Sequence, residues 1–334
     1  MNCPMPNLTI PCPRRLVFAL ILACSLPANG LLAGDNVDSV QAGKDKNPIE
    51  AALDEGTPLD TLDIEGSYVG ASGFTTKKFS GAGASTQVPY KDQAEIESEI
   101  QYGHRFHLEG RVYLKLGVDY QRFDFGETTA PIPSSLQQLS GVVALEYVVH
   151  GQAAAFINVK PGIYSSDFNH VGTGNFDAPT AIGTILPVFK SFYVLVGARW
   201  SLLAKYPVFP IAGAVWLIND HLRVEAVPPE PRIIYSVSKK LDFFAGGELL
   251  GEAYKRNVNP AARPQDQRFN GAVIDYSEER AGAGLTYSPC SAVDVDLSGG
   301  WDFGRDFDYY RGDSTKQFKT NGAPYAKMSI SAEF

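Results

Sequence analysis

The chain has 334 residues, of which 44% are hydrophobic and 11% aromatic, so it can bury ample apolar surface and is not a disordered polymer. Its 29 basic and 37 acidic residues give a formal net charge of −8, which argues against nucleic acid as a partner. Cys3, Cys12 and Cys24 lie near the amino terminus and only Cys290 lies beyond, so no disulfide framework, thiolate metal site or cofactor is expected.

Taken in chain order, Arg14 and Arg15 precede an apolar run from Leu16 to Leu26, and the small residues Ala28, Gly30 and Ala33 follow. That is the order of a secretory signal peptide, expected over residues 1 to 33. Its apolar core is well short of the roughly 20 residues of a membrane-spanning helix, and no later stretch comes close. Ile21-Leu22-Ala23-Cys24 resembles a bacterial lipoprotein cleavage box with Leu before the Ala, which leaves Cys24 either lipidated or discarded with the signal. Residues 34 to 63 are polar, with one helical turn at most over Ile49 to Leu53, and read as a flexible periplasmic tail.

From residue 64 the pattern has period 2, in runs separated by turn residues, which defines an all-β chain. Candidate strands fall at about 64 to 72, 94 to 103, 109 to 123, 138 to 149, 153 to 164, 178 to 189, 191 to 204, 208 to 218, 221 to 227, 232 to 238, 241 to 254, 273 to 287, 291 to 303 and 324 to 334. Connections after even strands are tight: around His107, Gly151, Lys190, Asn219-Asp220, Lys239 and Ser288-Pro289. The long ones (73 to 93, 124 to 137, 165 to 177, 255 to 272 and 304 to 323) follow odd strands. This alternation and the even strand number are those of a closed antiparallel transmembrane β-barrel of about 14 strands, with short periplasmic turns and longer outer loops. Twelve strands is the alternative, if 221 to 227 and 232 to 238 merge or stand outside the wall.

Within strands, Ile96, Ser98, Ile100 and Tyr102 oppose Glu95, Glu97, Glu99 and Gln101; Leu114, Leu116 and Val118 oppose Lys115 and Asp119; Val293, Val295 and Leu297 oppose Asp294 and Asp296. Such alternation fits lipid outside and a polar lumen inside, although a water-soluble β-sandwich would show the same period with the opposite sense. Tyr102, Tyr120, Tyr147, Trp200, Trp216, Tyr254, Tyr287 and Trp301 near strand ends favour the membrane barrel. Its lumen is expected to be lined by Glu95, Glu97, Glu99, Arg111, Lys115, Asp119, Glu146, Lys160, Arg199, Arg223, Glu248, Glu252, Glu278, Arg280, Asp294 and Asp296.

The chain closes on YAKMSISAEF, with Ala326, Met328, Ile330, Ala332 and Phe334 on one face and Tyr325 and Lys327 on the other. This ending resembles the closing strand of bacterial outer-membrane barrels, and the resemblance implies an assembly signal at Tyr325, Met328, Ile330, Ala332 and Phe334, read by the barrel-insertion machinery. Tyr206-Pro207-Val208-Phe209-Pro210-Ile211-Ala212-Gly213, Trp216, Leu222 to Tyr235 and Gly246-Gly247-Glu248-Leu249 resemble an uncharacterised bacterial outer-membrane barrel family, domain of unknown function 6268. The resemblance covers the chain from about residue 64 and implies an outer-membrane barrel with no assigned substrate. Prolines 207, 210, 228, 229 and 231 should sit at strand ends or bulges, and the short strands there form a low wall, either a trimmed edge or a lateral mouth.

Catalysis has little support. His104, His107, His150 and His221 fall in turns and His170 in a loop, with no nucleophile elbow or zincin pattern. Arg311-Gly312-Asp313 reads as chance, and Asp302, Asp306, Asp308 and Asp313 lack the spacing of a calcium loop. Gly81 to Ser85 is flexible loop rather than a phosphate cradle. No continuous apolar path through the lumen is evident in the strands. The expected function is a porin-like passive channel in the bacterial outer membrane, in contact with its lipid, for small polar or cationic solutes. The alternative is a structural or surface-interaction barrel with a plugged lumen, and a barrel enzyme is the remotest option.

Overall fold

The computed structural model describes residues 59–75, 90–109, 111–147, 154–257, 267, 269–311 and 314–334. The signal segment, Cys24, residues 34 to 58 of the expected tail, Gly81 to Ser85, His150 and Gly312-Asp313 lie outside the described residues. The ladder contains eighteen segments, and in four places two consecutive segments share one position in the wall, which leaves 14 strands. They are β1 (Asp60–Ser72, continued by Phe74–Thr75), β2 (Gln93–Glu109), β3 (Val112–Phe125), β4 (Ser135–Tyr147), β5 (Ala154–Val159 and Gly162–Ser165), β6 (Phe176–Asp177 and Thr180–Phe189) and β7 (Phe192–Trp200). The second half comprises β8 (Val208–Asn219), β9 (Leu222–Ala226), β10 (Arg232–Ser238), β11 (Leu241–Lys255), β12 (Val273–Cys290), β13 (Val293–Arg311) and β14 (Ser314–Thr320 and Ala323–Glu333). Each pairs antiparallel with its sequence neighbours, and β14 pairs with β1 from Thr61↔Glu333 to Val69↔Tyr325, closing the barrel.

Closure satisfies every wall strand's backbone without leaving a free sheet edge at the level where it holds, the condition for spanning hydrocarbon with strands. The sense of burial is the reverse of a soluble sandwich. Glu95, Glu97, Asp119, Glu278 and Arg280 are buried, while Ile96, Ile100, Val118, Leu139, Ile182, Val196, Trp216, Ile233, Phe243, Leu297 and Met328 are exposed around the circumference. An apolar belt of that extent has the pattern of a transmembrane barrel's outer face. Tyr102, Tyr147, Trp200, Trp216, Tyr287 and Trp301 are exposed with it, but Tyr254 is not: it points inward and is fully buried.

Several boundaries differ from the sequence pattern. β1 begins at Asp60, so residues 60 to 63 of the expected tail are paired strand. β2 runs past His107 to Glu109, and β7 stops at Trp200, short of 204. Both short segments, β9 and β10, stand in the wall, which settles 14 strands over twelve. The largest departure is 304 to 323, expected as a loop. Here β13 continues to Arg311 and β14 starts at Ser314, forming a long hairpin. Gly304, at φ +117°, inserts a bulge that shifts the facing of Arg305, Phe307 and Tyr309 by one residue, which hides the alternation from a fixed period-2 reading. A Cβ there would meet the Thr320 carbonyl at 2.5 Å.

At the carboxy terminus, Asp60 N–H donates to the Phe334 carbonyl (2.9 Å) and Phe334 N–H to Asp60 (3.0 Å), while the Phe334 ring stays exposed. Met328 and Ile330 share its outward face, Tyr325 points inward, and Ala332 is buried between neighbouring strands. Because the ring contributes nothing to the interior, Phe334→Ala is expected to leave intrinsic stability nearly unchanged while reducing membrane-inserted, heat-modifiable protein several-fold; unchanged insertion would reject the assembly role.

Candidate functional site

Among the described residues, most of the buried charge lies in the interior, which is built in three layers. Layer one, at the end carrying both termini, is a vestibule. Asp63, Glu146, Asn158, Arg223, Asp294, Asp296, Ser298 and Ser329 face inward there and are only half-buried. The charges pair locally: Arg105 with Glu146 (3.2 Å), Arg223 with Glu225 (2.8 Å) and Arg232 with Asp296 (3.2 Å).

Layer two is a belt of buried ions. The Arg280 guanidinium lies 2.7 Å from Glu278, 2.8 Å from Glu97 and 3.4 Å from both Glu95 and Glu248. Its side chain and those of Glu95 and Glu278 are 0% exposed. Beside it Arg305 reaches Glu95 (3.5 Å), the Ser72 hydroxyl (3.0 Å) and the Gln93 carbonyl (2.8 Å). Lys327 holds Glu65 (2.6 Å), Glu230 (2.8 Å) and Glu248 (2.5 Å). Lys160 holds Asp119 (3.3 Å). A register that sets Glu248 opposite Arg280 and Arg280 opposite Asp302 brings these groups together from strands on both sides of the lumen. Side chains so desolvated fill the space they surround.

Layer three, above the belt, is apolar. Phe123, Phe125, Leu136, Tyr164, Leu250, Tyr254, Ile274, Tyr276, Phe307, Tyr309 and Phe318 form one buried cluster, joined by Ala130 and Ile132 from the β3–β4 loop and by Phe269. Phe307 sits 5.1 Å, centroid to centroid, from both Phe125 and Tyr276. The fully buried strand residues of this cap come from β3 to β5 and β11 to β14, while Phe74 of β1, Tyr90 and Leu203 of the β7–β8 loop pack against it partly buried. The rim explains why. Ser165 at the end of β5 pairs in parallel with Lys255 at the end of β11, the Ser166 N–H donates to the Lys255 carbonyl (3.0 Å), and Asn175 donates to Asn257 (2.8 Å). The outer rim therefore bypasses β6 to β10 and closes on a solid core like that of a soluble domain. A wholly polar lumen, the expectation from the strand pattern, is corrected at this level.

Of the expected lumen residues, Glu95, Glu97, Glu99, Lys115, Asp119, Lys160, Glu248, Glu252, Glu278 and Arg280 are buried inside, and Glu146, Arg199, Arg223, Asp294 and Asp296 face inward with partial exposure. Arg111 does not: it is exposed in the β2–β3 turn, where the strand ends before the side chain can reach the lumen. Glu65, Glu230, Arg232, Arg305 and Lys327 are not among the expected lumen residues, and neither is Asp302, although alternation in the strand at 291 to 303 sets it on the same face as Asp294 and Asp296. Alternation also points Glu65 and Lys327 inward, whereas Arg305 lies in 304 to 323, expected as a loop. Among the described residues no group of three or more His, Cys, Asp or Glu could hold a metal ion.

No protein-family model and no curated protein sequence matches the chain. Among solved structures, an outer-membrane channel of Pseudomonas putida F1 is similar at 9% identity, covering 84% of this chain and 98% of its own, with a TM-score of 0.43. A Pseudomonas aeruginosa FadL homologue is similar at 8% identity over 84% of this chain and 91% of its own, TM-score 0.44. The toluene transporter TodX of Pseudomonas putida is similar at 9% identity over 86% and 93%, TM-score 0.41.

Proposed function

We propose that the chain is a gated outer-membrane channel, closed in the conformation described, that takes up small polar or cationic solutes through its acidic vestibule. The observation that carries this reading is the contrast between the half-buried vestibule and the belt above it, where Arg280, Glu95 and Glu278 are 0% exposed and Glu97 and Glu248 nearly so. A permanently open pore would keep such groups wetted. A purely structural barrel has no need of buried ions, since apolar filling of the same volume is as stable or more so. Ion pairs that can exchange partners are what a gate requires.

Single-channel recording of the refolded protein in a planar bilayer tests this. The channel is expected to be silent most of the time, with rare discrete steps that prefer cations in a salt gradient. Constant porin-like conductance would reject the gate. A second reading, a plugged barrel that only presents a surface, is favoured by the solid apolar cap, and it requires silence in the wild type and in belt variants alike.

A further inference from the structure

The wall is interrupted between β8 and β11. β8 pairs with β7 along its whole outer half, from Trp216 to Val208, but with β9 only from Ala214 onward. The Leu217 N–H donates to Ser191, so odd residues of β8 direct their backbone toward β7 and even residues toward the opposite edge. Pro210, which has no N–H, therefore faces the edge where no strand lies, one of the few places a strand tolerates proline. Across the gap, β11 pairs with β10 only to Gly246; Gly247 and Leu249 then donate to the Pro231 and Pro229 carbonyls (both 2.9 Å), and beyond them, among the described residues, that edge of β11 has no strand until Ser165. The backbone ladder is replaced here by side chains. Arg199, inward on β7, pairs with Glu252 on β11 and reaches the Gly251 carbonyl (3.5 Å), and Lys205 of the β7–β8 loop pairs with Asp308 of β13 (2.8 Å).

The gap sits at the outer margin of the lipid-facing belt, level with Trp200 and Leu249, which are both exposed outward. Register puts Phe209 opposite Arg199, on the interior face, yet it is 67% exposed. Among the described residues, this is where an interior-facing side chain comes level with the lipid-facing margin.

We infer that the gap between β8 and β11 is a lateral portal for small amphiphiles with an apolar body and a cationic head, with Arg199–Glu252 as its latch. This rests on the gated-channel reading. A solute passing here crosses an apolar margin, so it must dissolve in lipid. It must also displace Arg199 from Glu252. Arg199 is 30% exposed and can turn toward solvent, whereas Glu252 is 6% exposed and stays inside, so a cationic head takes over Glu252's pairing and an anionic head would face the buried carboxylate, which the low local dielectric makes costly.

Two measurements test it. In a Cys290→Ser background, nitroxide labels at Phe209→Cys, Val208→Cys (outward) and Leu195→Cys (inward and buried) are compared for collision with oxygen, which concentrates in lipid, and with a water-soluble nickel complex. The Phe209 label is expected to match Val208 within about twofold in oxygen access and to exceed Leu195 several-fold. A Phe209 label that behaves like Leu195, or meets only nickel, overturns the portal. In DNA-loaded proteoliposomes, Arg199→Ala is expected to accelerate ethidium influx several-fold over wild type while leaving an anionic naphthalene sulfonate dye excluded; equal acceleration of both dyes overturns the head-group assignment. Lipid access at Phe209 with no dye flux in any variant would instead sink the channel reading and leave the opening standing, so the two failures are distinguishable. Heat-modifiable migration establishes that each variant is folded, and Glu252→Gln, which loosens the same latch from the other side, serves if Arg199→Ala is not.

Discussion

Arg280→Ala is expected to lose about 3–5 kcal/mol of stability, the usual consequence of removing one partner from a buried ion pair, and to convert a silent barrel into a conducting one. The side chain is surrounded by Glu95, Glu97, Glu248 and Glu278, all buried, and its removal leaves them clustered with only Arg305 and Lys327 to compensate. Carboxylates in that position draw in water and counter-ions, which reopens the lumen and makes it cation-selective. The checks are the urea midpoint of the refolded protein and bilayer recordings in a salt gradient. Arg280→Lys keeps a charge but not the fork that holds several carboxylates at once, so it should fall between the two. A stable, silent Arg280→Ala would show that the belt is neither a gate nor a brace.

Phe307→Ala is expected to cost a similar about 3–5 kcal/mol, through a cavity left among Phe125, Tyr276 and Phe318 in a core with little room to relax. Its electrical signature should differ. The belt below remains intact, so Phe307→Ala alone stays silent, whereas Phe307→Ala combined with Arg280→Ala conducts in larger steps than Arg280→Ala alone. Steps from the Phe307 variant by itself would place the gate in the cap rather than in the ions. Phe307→Leu, which keeps most of the volume, should lose under about 1.5 kcal/mol.

The three layers assign different work to one continuous set of inward positions. On β12 the inward residues run Thr286, Gly284, Gly282, Arg280, Glu278, Tyr276 and Ile274, passing from vestibule to belt to cap along a single strand. On β3 they run Lys115, Asp119, Gln121, Phe123 and Phe125. The transition from polar to apolar occurs at the same height on both, where the Tyr276 hydroxyl lies 2.8 Å from both Glu95 and Glu278, donating to one of them, and its ring turns toward Phe123. Tyr276 is thus in contact with both the belt and the cap.

Much of this was visible in the residues. Alternation along Glu95 to Tyr102 and Leu114 to Asp119 assigned the inward and outward faces, because a strand's side chains follow a period of 2 whatever its partners. Turn residues such as Lys190 and Asn219-Asp220 marked the hairpins, and short Pro-bounded segments marked the low wall. Other features depend on contacts between positions far apart in the chain. Whether Arg280 faces one carboxylate or four follows from registers set independently along β2, β11 and β12. The bulge at Gly304 shifts the facing of every residue after it in β13, so no periodic reading carries through it. The cap could not be foreseen for the same reason: Phe123, Tyr254 and Phe307 look like ordinary strand-end aromatics until β5 meets β11 at Ser165 and Lys255 and the rim closes without β6 to β10. Local alternation decides which way a side chain points; which charges and rings meet inside is decided by closure of the barrel, a property of no single strand.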